Sequence, residues 1–180
     1  MKKTVCLMLA VMLLTGLMTA CGGSKPAEGS TAGGSAPEGT PSEIIDAIYA
    51  EKTVDLNLLT VDIALDDADA VRYNLGLEDA SKLESAAISE PMMGSQAYSL
   101  AVVRVKDAAD AAATAQAMAD GIDQRKWICV EADTLRVMTK GPVVVLFMVY
   151  SRLADTVTID DIEKAFTTVC GGSPDKVVTK

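Results

Sequence analysis

Residues 133–151 read DTLRVMTKGPVVVLFMVYS. Two apolar runs flank Lys140-Gly141-Pro142. A glycine suits a tight hairpin turn, and a proline is tolerated as the opening residue of a strand. The return run, Val143 to Tyr150, is continuously apolar and offers no face to water. It reads as a central strand buried on both sides, and it makes the domain a sheet protein.

Working outward, KLESAAISEP (82–91) and QAYSLAVVRVK (96–106) read as a second hairpin, joined through PMMGS and ended on its first strand by Pro91. Helical spacing marks four further stretches. In TPSEIIDAIYAEK (40–52), Thr40 and Glu43 have capping-box spacing around Pro41, and Ile44, Ile45, Ile48 and Tyr49 share a face. LDDADAVRYNLGL (65–77) is a short helix capped by Asp66 or Asp67 and closed by Gly76. DAADAAATAQAMADGIDQRKW (107–127) starts at Asp107 and turns Ala108, Ala112, Ala115, Met118 and Ile122 to one side. VTIDDIEKAFTTVC (157–170) has a Thr158–Asp161 capping box and an inward stripe of Ile159, Ile162, Ala165, Phe166 and Val169. The stretch 54–65, VDLNLLTVDIAL, alternates poorly and fits neither template. Hairpin followed by helix occurs twice, without a convincing internal repeat. The expectation is one α+β domain over residues 40–170, with about four mostly antiparallel strands in two hairpins packed against helices, and a disordered tail over 171–180.

Composition narrows the chemistry. The net charge of −9 is made two more negative if Lys2 and Lys3 are removed, which disfavours nucleic acid and anionic headgroups as partners. Histidine is absent, so Ser-His-Asp and Cys-His catalysis cannot be built from this chain, and the commonest metal ligand is missing. Paired carboxylates or a Ser-Lys pair remain as routes to an enzyme. Asp62, Asp66, Asp67 and Asp69 lack the glycine and terminal glutamate of a calcium loop, and helix capping accounts for three of them. Met92 and Met93 suit a soft metal site or a binding lip, but adjacent methionines between a proline and a glycine more simply plug a core edge. Trp127, beside Arg125 and Lys126, suits a ligand platform or, more simply, a hydrophobic plug at a helix end. No phosphate loop, metal set or cofactor motif is present in the sequence, and no residue is assigned a catalytic role.

The chain opens Met1-Lys2-Lys3, continues uncharged from Thr4 to Ala20, and reaches Cys21 through LMTA. That layout resembles a bacterial lipobox, with Met18 where leucine is usual. The resemblance implies a signal peptide over 1–20, acylation of Cys21, and attachment to the outer face of the cell membrane. Residues 21–39, rich in Gly, Ser, Ala and Pro, read as a flexible tether. With Cys6 removed and Cys21 acylated, Cys129 and Cys170 are left as a candidate disulfide or as two thiols. The stretches PMMGSQAYSLAVVRVKDAADA, DGIDQRKWICVEAD and GPVVVLFMV further resemble an uncharacterised lipoprotein family of anaerobic Gram-positive bacteria, a domain of unknown function. That resemblance implies membership and no activity. The expected function is a membrane-anchored, non-catalytic binding or envelope-interaction module with an envelope protein or a small ligand as partner; the alternatives are a small carboxylate or Ser-Lys hydrolase and a ligand carrier.

Overall fold

The structure, a computed structural model, describes residues 33–180. The expected signal peptide, Cys21 and the first part of the tether lie outside the described residues.

Six antiparallel strands form one open sheet, ordered β1 (Leu58–Asp62), β2 (Leu83–Pro91), β3 (Tyr98–Val105), β5 (Val143–Val149), β4 (Thr134–Lys140) and β6 (Lys176–Thr179). Both expected hairpins are present, and β5 lies between β3 and β4 with all seven residues buried. Its alternating side chains supply two cores. Val144, Leu146 and Met148 pack with α2 (Ala68–Leu75) and α3 (Ala111–Gly121). Val143, Val145, Phe147 and Val149 pack with α1 (Pro41–Glu51) and α4 (Ile159–Val169). An apolar central strand is stable here because a helical layer covers each face.

The expected caps form. Thr40 with Glu43, and Thr158 with Asp161, make capping boxes, and Asp67 accepts bonds from the amides of Asp69 and Ala70. The stripes of α1 and α4 face inward as expected, with Ile44, Ile45, Ile48, Ile162, Ala165 and Phe166 buried. Arg136 on β4 ties α4 to the sheet through Asp160, at 2.7 Å, and Glu163.

Three expectations are corrected. First, the sheet has six strands rather than four. The two unforeseen ones are its edges, β1 from the ambiguous 54–65 stretch and β6 from the expected tail. Lys140 explains why residues 171–180 are ordered: its side chain is 4% exposed and its Nζ reaches Asp175 Oδ1 at 3.1 Å and the Ser173 carbonyl at 2.9 Å. Asp175 also accepts the Gly141 amide, so the start of β6 is locked to the β4–β5 turn.

Second, residues 33–39 pack on the domain. The Ser35 amide bonds the Cys170 carbonyl, Arg104 donates to the carbonyls of Pro37 and Gly39, and Pro37 is buried. The ordered unit therefore begins before residue 40.

Third, the central alanine helix starts with a 3-10 turn, Ala108–Asp110, and buries Ala111, Thr114, Ala115, Met118 and Ala119, a face rotated from the expected one. It ends at Gly121, where the backbone meets the end of α2: a Cβ on Gly121 would lie 2.0 Å from the Gly76 carbonyl oxygen. Gly76 itself sits at φ +70°. The two glycines let the helix ends touch.

For Cys129 and Cys170 the sequence left a disulfide or two thiols open; the structure has two free thiols, one exposed and one buried. Cys170 belongs to the core on the α1/α4 face, whereas Trp127 and Val130, beside Cys129, pack on the α2/α3 face. The two hairpin–helix units likewise put α3 and α4 on opposite faces, whereas the two-fold axis implied by antiparallel β3–β5 pairing would keep them on one.

Candidate functional site

The α2 face of the sheet carries its polar exception at the end where β2 finishes. Lys126, in the segment after α3, buries its side chain to 1% exposure and meets Glu90 Oε1 at 2.6 Å. Its ammonium lies 5.0 Å from the Tyr73 ring centroid, 5.5 Å from that of Trp127, and 3.4 Å from Ser99 Oγ. Tyr73 also donates its hydroxyl to the Lys126 carbonyl. Burial pulls the lysine below its ordinary 10.5, with Glu90 and Asp123 opposing. Burial, then Glu90 and Asp123, push the Tyr73 hydroxyl up.

Ser99 and Lys126 bring a serine and a lysine together, as one enzyme alternative required. Ser99 is fully buried, however, and the ammonium is held by Glu90. In this packing the serine has neither a free base nor a path to substrate. The carboxyls of Glu43, Asp79 and Asp161 are all shifted downward by hydrogen bonds, to Thr40, Ser81 and Thr158 respectively. None of these three would hold a proton near neutral pH.

A groove of about 430 Å³ adjoins Glu90 and runs along β1, lined by Leu59, Val61, Ile88, Pro91, Met92 and Asn74 among others. It exists because α2 is only eight residues long and buries just Val71 and Leu75, leaving Leu59 and Val61 54% and 46% exposed. On the opposite face of β1 a second groove of about 380 Å³ is lined by Asp46, Tyr49, Thr53, Asn57, Leu58 and Thr60.

Between the grooves runs the open edge of the strand. The Met92 amide bonds the Asn57 carbonyl and the Ile63 amide bonds the Ala86 carbonyl, so the odd-numbered residues of this segment face β2. Antiparallel alternation then turns the N–H and C=O groups of Leu58, Thr60 and Asp62 outward. The other edge differs. Lys176, the first residue of β6, and Lys180, just after its end, bond the α3 carbonyls of Ala112 and Ala119. Lysines of this kind discourage pairing at an edge, and β1 contains none.

The sequence-predicted residues fall around this region in altered roles. Met92 and Met93 are 66% and 61% exposed, so they do not plug the core; Met92 lines the groove. Trp127 is half-buried against the α2/α3 core, six residues beyond the end of the helix it was expected to close. Cys129 lies with Trp127, Tyr150 and Arg152 around a separate cavity of about 580 Å³. Sequence reading missed Glu90, Lys126 and the β1 edge. The available signal was a carboxylate at the end of an otherwise apolar strand and a lysine beside the single tryptophan. Among the described residues, no helix is long and apolar enough to cross a membrane.

Fold and site together define an α+β domain with an antiparallel sheet covered on both faces and an apolar edge, β1, left uncovered among the described residues. Comparison with protein families, curated proteins and solved structures finds no match.

Proposed function

We propose that this protein is a lipid-anchored, extracytoplasmic binding module, held to the membrane through Cys21 and engaging a partner protein of the cell envelope without catalysis of its own. The observation that carries the binding reading is the uncovered β1 edge, with Leu59, Val61 and Met92 exposed beside it. Contiguous apolar surface next to unpaired strand groups is costly in water and marks interaction sites. The anchor is supported by the resemblance of residues 17–21 to a lipobox and by the small, polar composition up to residue 32, which would hold the domain away from the bilayer. The acidic balance of the chain argues against nucleic acid.

A photo-crosslinking side chain placed at Leu59 or, separately, at Val177 of the full chain in its own membranes tests this reading. A discrete adduct from position 59 and none from 177 is expected. Thr60→Pro should abolish it, since the Thr60 amide faces outward and its loss spares the bonds to β2. Equal adducts at both positions, or none at 59, would overturn the proposal.

A further inference from the structure

The two grooves flank one strand, and the outward groups of Leu58, Thr60 and Asp62 lie between them. A chain laid along that edge would send successive side chains alternately to the two faces. On the α2 face they would meet Leu59, Val61 and Met92. On the α1 face they would meet Asp46, Tyr49, Thr53 and Thr60. Among the described residues no cation lines either groove; the charged side chains there are Asp46, Asp62 and Glu90, and Glu90 is already paired. Asp62 takes a hydrogen bond from Ser42 Oγ at 2.7 Å on the α1 side.

We infer that β1 receives an extended segment of a partner protein as a seventh strand, its apolar side chains seated on Leu59 and Val61 and its basic side chains beside Asp46. The inference rests on the binding-module reading above and names the occupant of its surface. Main-chain bonds to Leu58, Thr60 and Asp62 hold the segment, and the unlike faces select its sequence pattern. A second copy of this chain is the less favourable occupant, because each copy carries net −9 and would bring a second Asp46 and Asp62 to the same edge.

The probe is the peptide acetyl-Val-Lys-Val-Lys-Val-amide, titrated into the full chain and followed by backbone amide exchange. Saturation should slow exchange at Leu58, Thr60 and Asp62 by about tenfold or more while leaving Leu59 and Val61, already bonded to β2, unchanged. Methylating the peptide nitrogens that face β1 should weaken binding by about tenfold or more, and Asp46→Asn by about two- to fivefold. Replacing lysine by glutamate in the peptide should remove binding. Undiminished binding of the methylated peptide, or binding without slowed exchange at the three amides, overturns the inference. Concentration-dependent slowing without peptide also overturns it, in favour of a second copy. Absence of peptide binding with the position-59 adduct retained in membranes overturns strand addition and leaves the binding module standing; loss of that adduct as well removes both.

Discussion

Glu90→Gln leaves the buried Lys126 ammonium of the α2 face without its carboxylate. The substitution keeps the shape of the side chain and an acceptor oxygen, and removes the negative charge 2.6 Å from Lys126 Nζ. Breaking a buried pair at one partner costs about 3–5 kcal/mol. Two features lower that here: Glu90 is 25% exposed, and the Tyr73 and Trp127 rings still face the ammonium at 5.0 and 5.5 Å. Each ring contributes about 0.5–1 kcal/mol. The expected loss is therefore about 2 kcal/mol at pH 7, a fall in Tm of about 4–8 °C for a domain of this size. The sign of its pH dependence follows from the lysine. Its folded-state pKa already lies below the ordinary 10.5, and loss of Glu90 lowers it further. A lysine depressed on folding destabilises while charged in both states, and that penalty fades as pH rises from its folded pKa towards 10.5. The gap between wild type and Glu90→Gln should thus narrow on the alkaline side, and Glu90→Gln/Lys126→Met should recover most of it. Urea unfolding of both variants and wild type at pH 7 and 10 measures this. A Glu90→Gln loss below about 0.5 kcal/mol, or one that widens with pH, would refute the reasoning.

Other outcomes follow from the packing. Gly121→Ala should cost more than about 2 kcal/mol in urea unfolding, because the new Cβ meets the Gly76 carbonyl at 2.0 Å, backbone that cannot turn aside. Asp175→Ala should cost about 2 kcal/mol, since Lys140 is left buried and the Gly141 amide loses its acceptor, and limited proteolysis should then cut within residues 171–180. In the native protein a thiol reagent at pH 8 should label exposed Cys129 and spare Cys170, whose thiol burial pushes up to about 11; labelling of both before unfolding would contradict the placement of Cys170 in the core.

The central hairpin was readable because β5 is apolar at every position, so no shift of register could change which residues it buries. The helix caps were readable because they are local, set by residues two or three apart. The edge strands were not. β1 and β6 are at most half-buried on one face and exposed on the other, and β6 is held in place by Lys140 and Asp175, a contact across 35 residues that spacing cannot reveal. Glycine-rich composition also concealed that residues 33–39 are packed, since Gly34 fits against the Cys170 carbonyl only because it has no side chain. Met92 and Trp127 directed attention to the right end of the sheet. Met92 and Met93 stand exposed instead of plugging the core, and Trp127 packs on the core beyond the helix end, beside Lys126, whose partner Glu90 comes from a distant strand.

The most direct test of the account is hydrogen-exchange mass spectrometry of the full chain over residues 57–63, compared between its own membranes and the purified protein. Partner engagement at the β1 edge predicts slower exchange in membranes at Leu58, Thr60 and Asp62, with Leu59 and Val61 equally protected in both samples. Equally fast exchange at all three outward amides in both samples would contradict it.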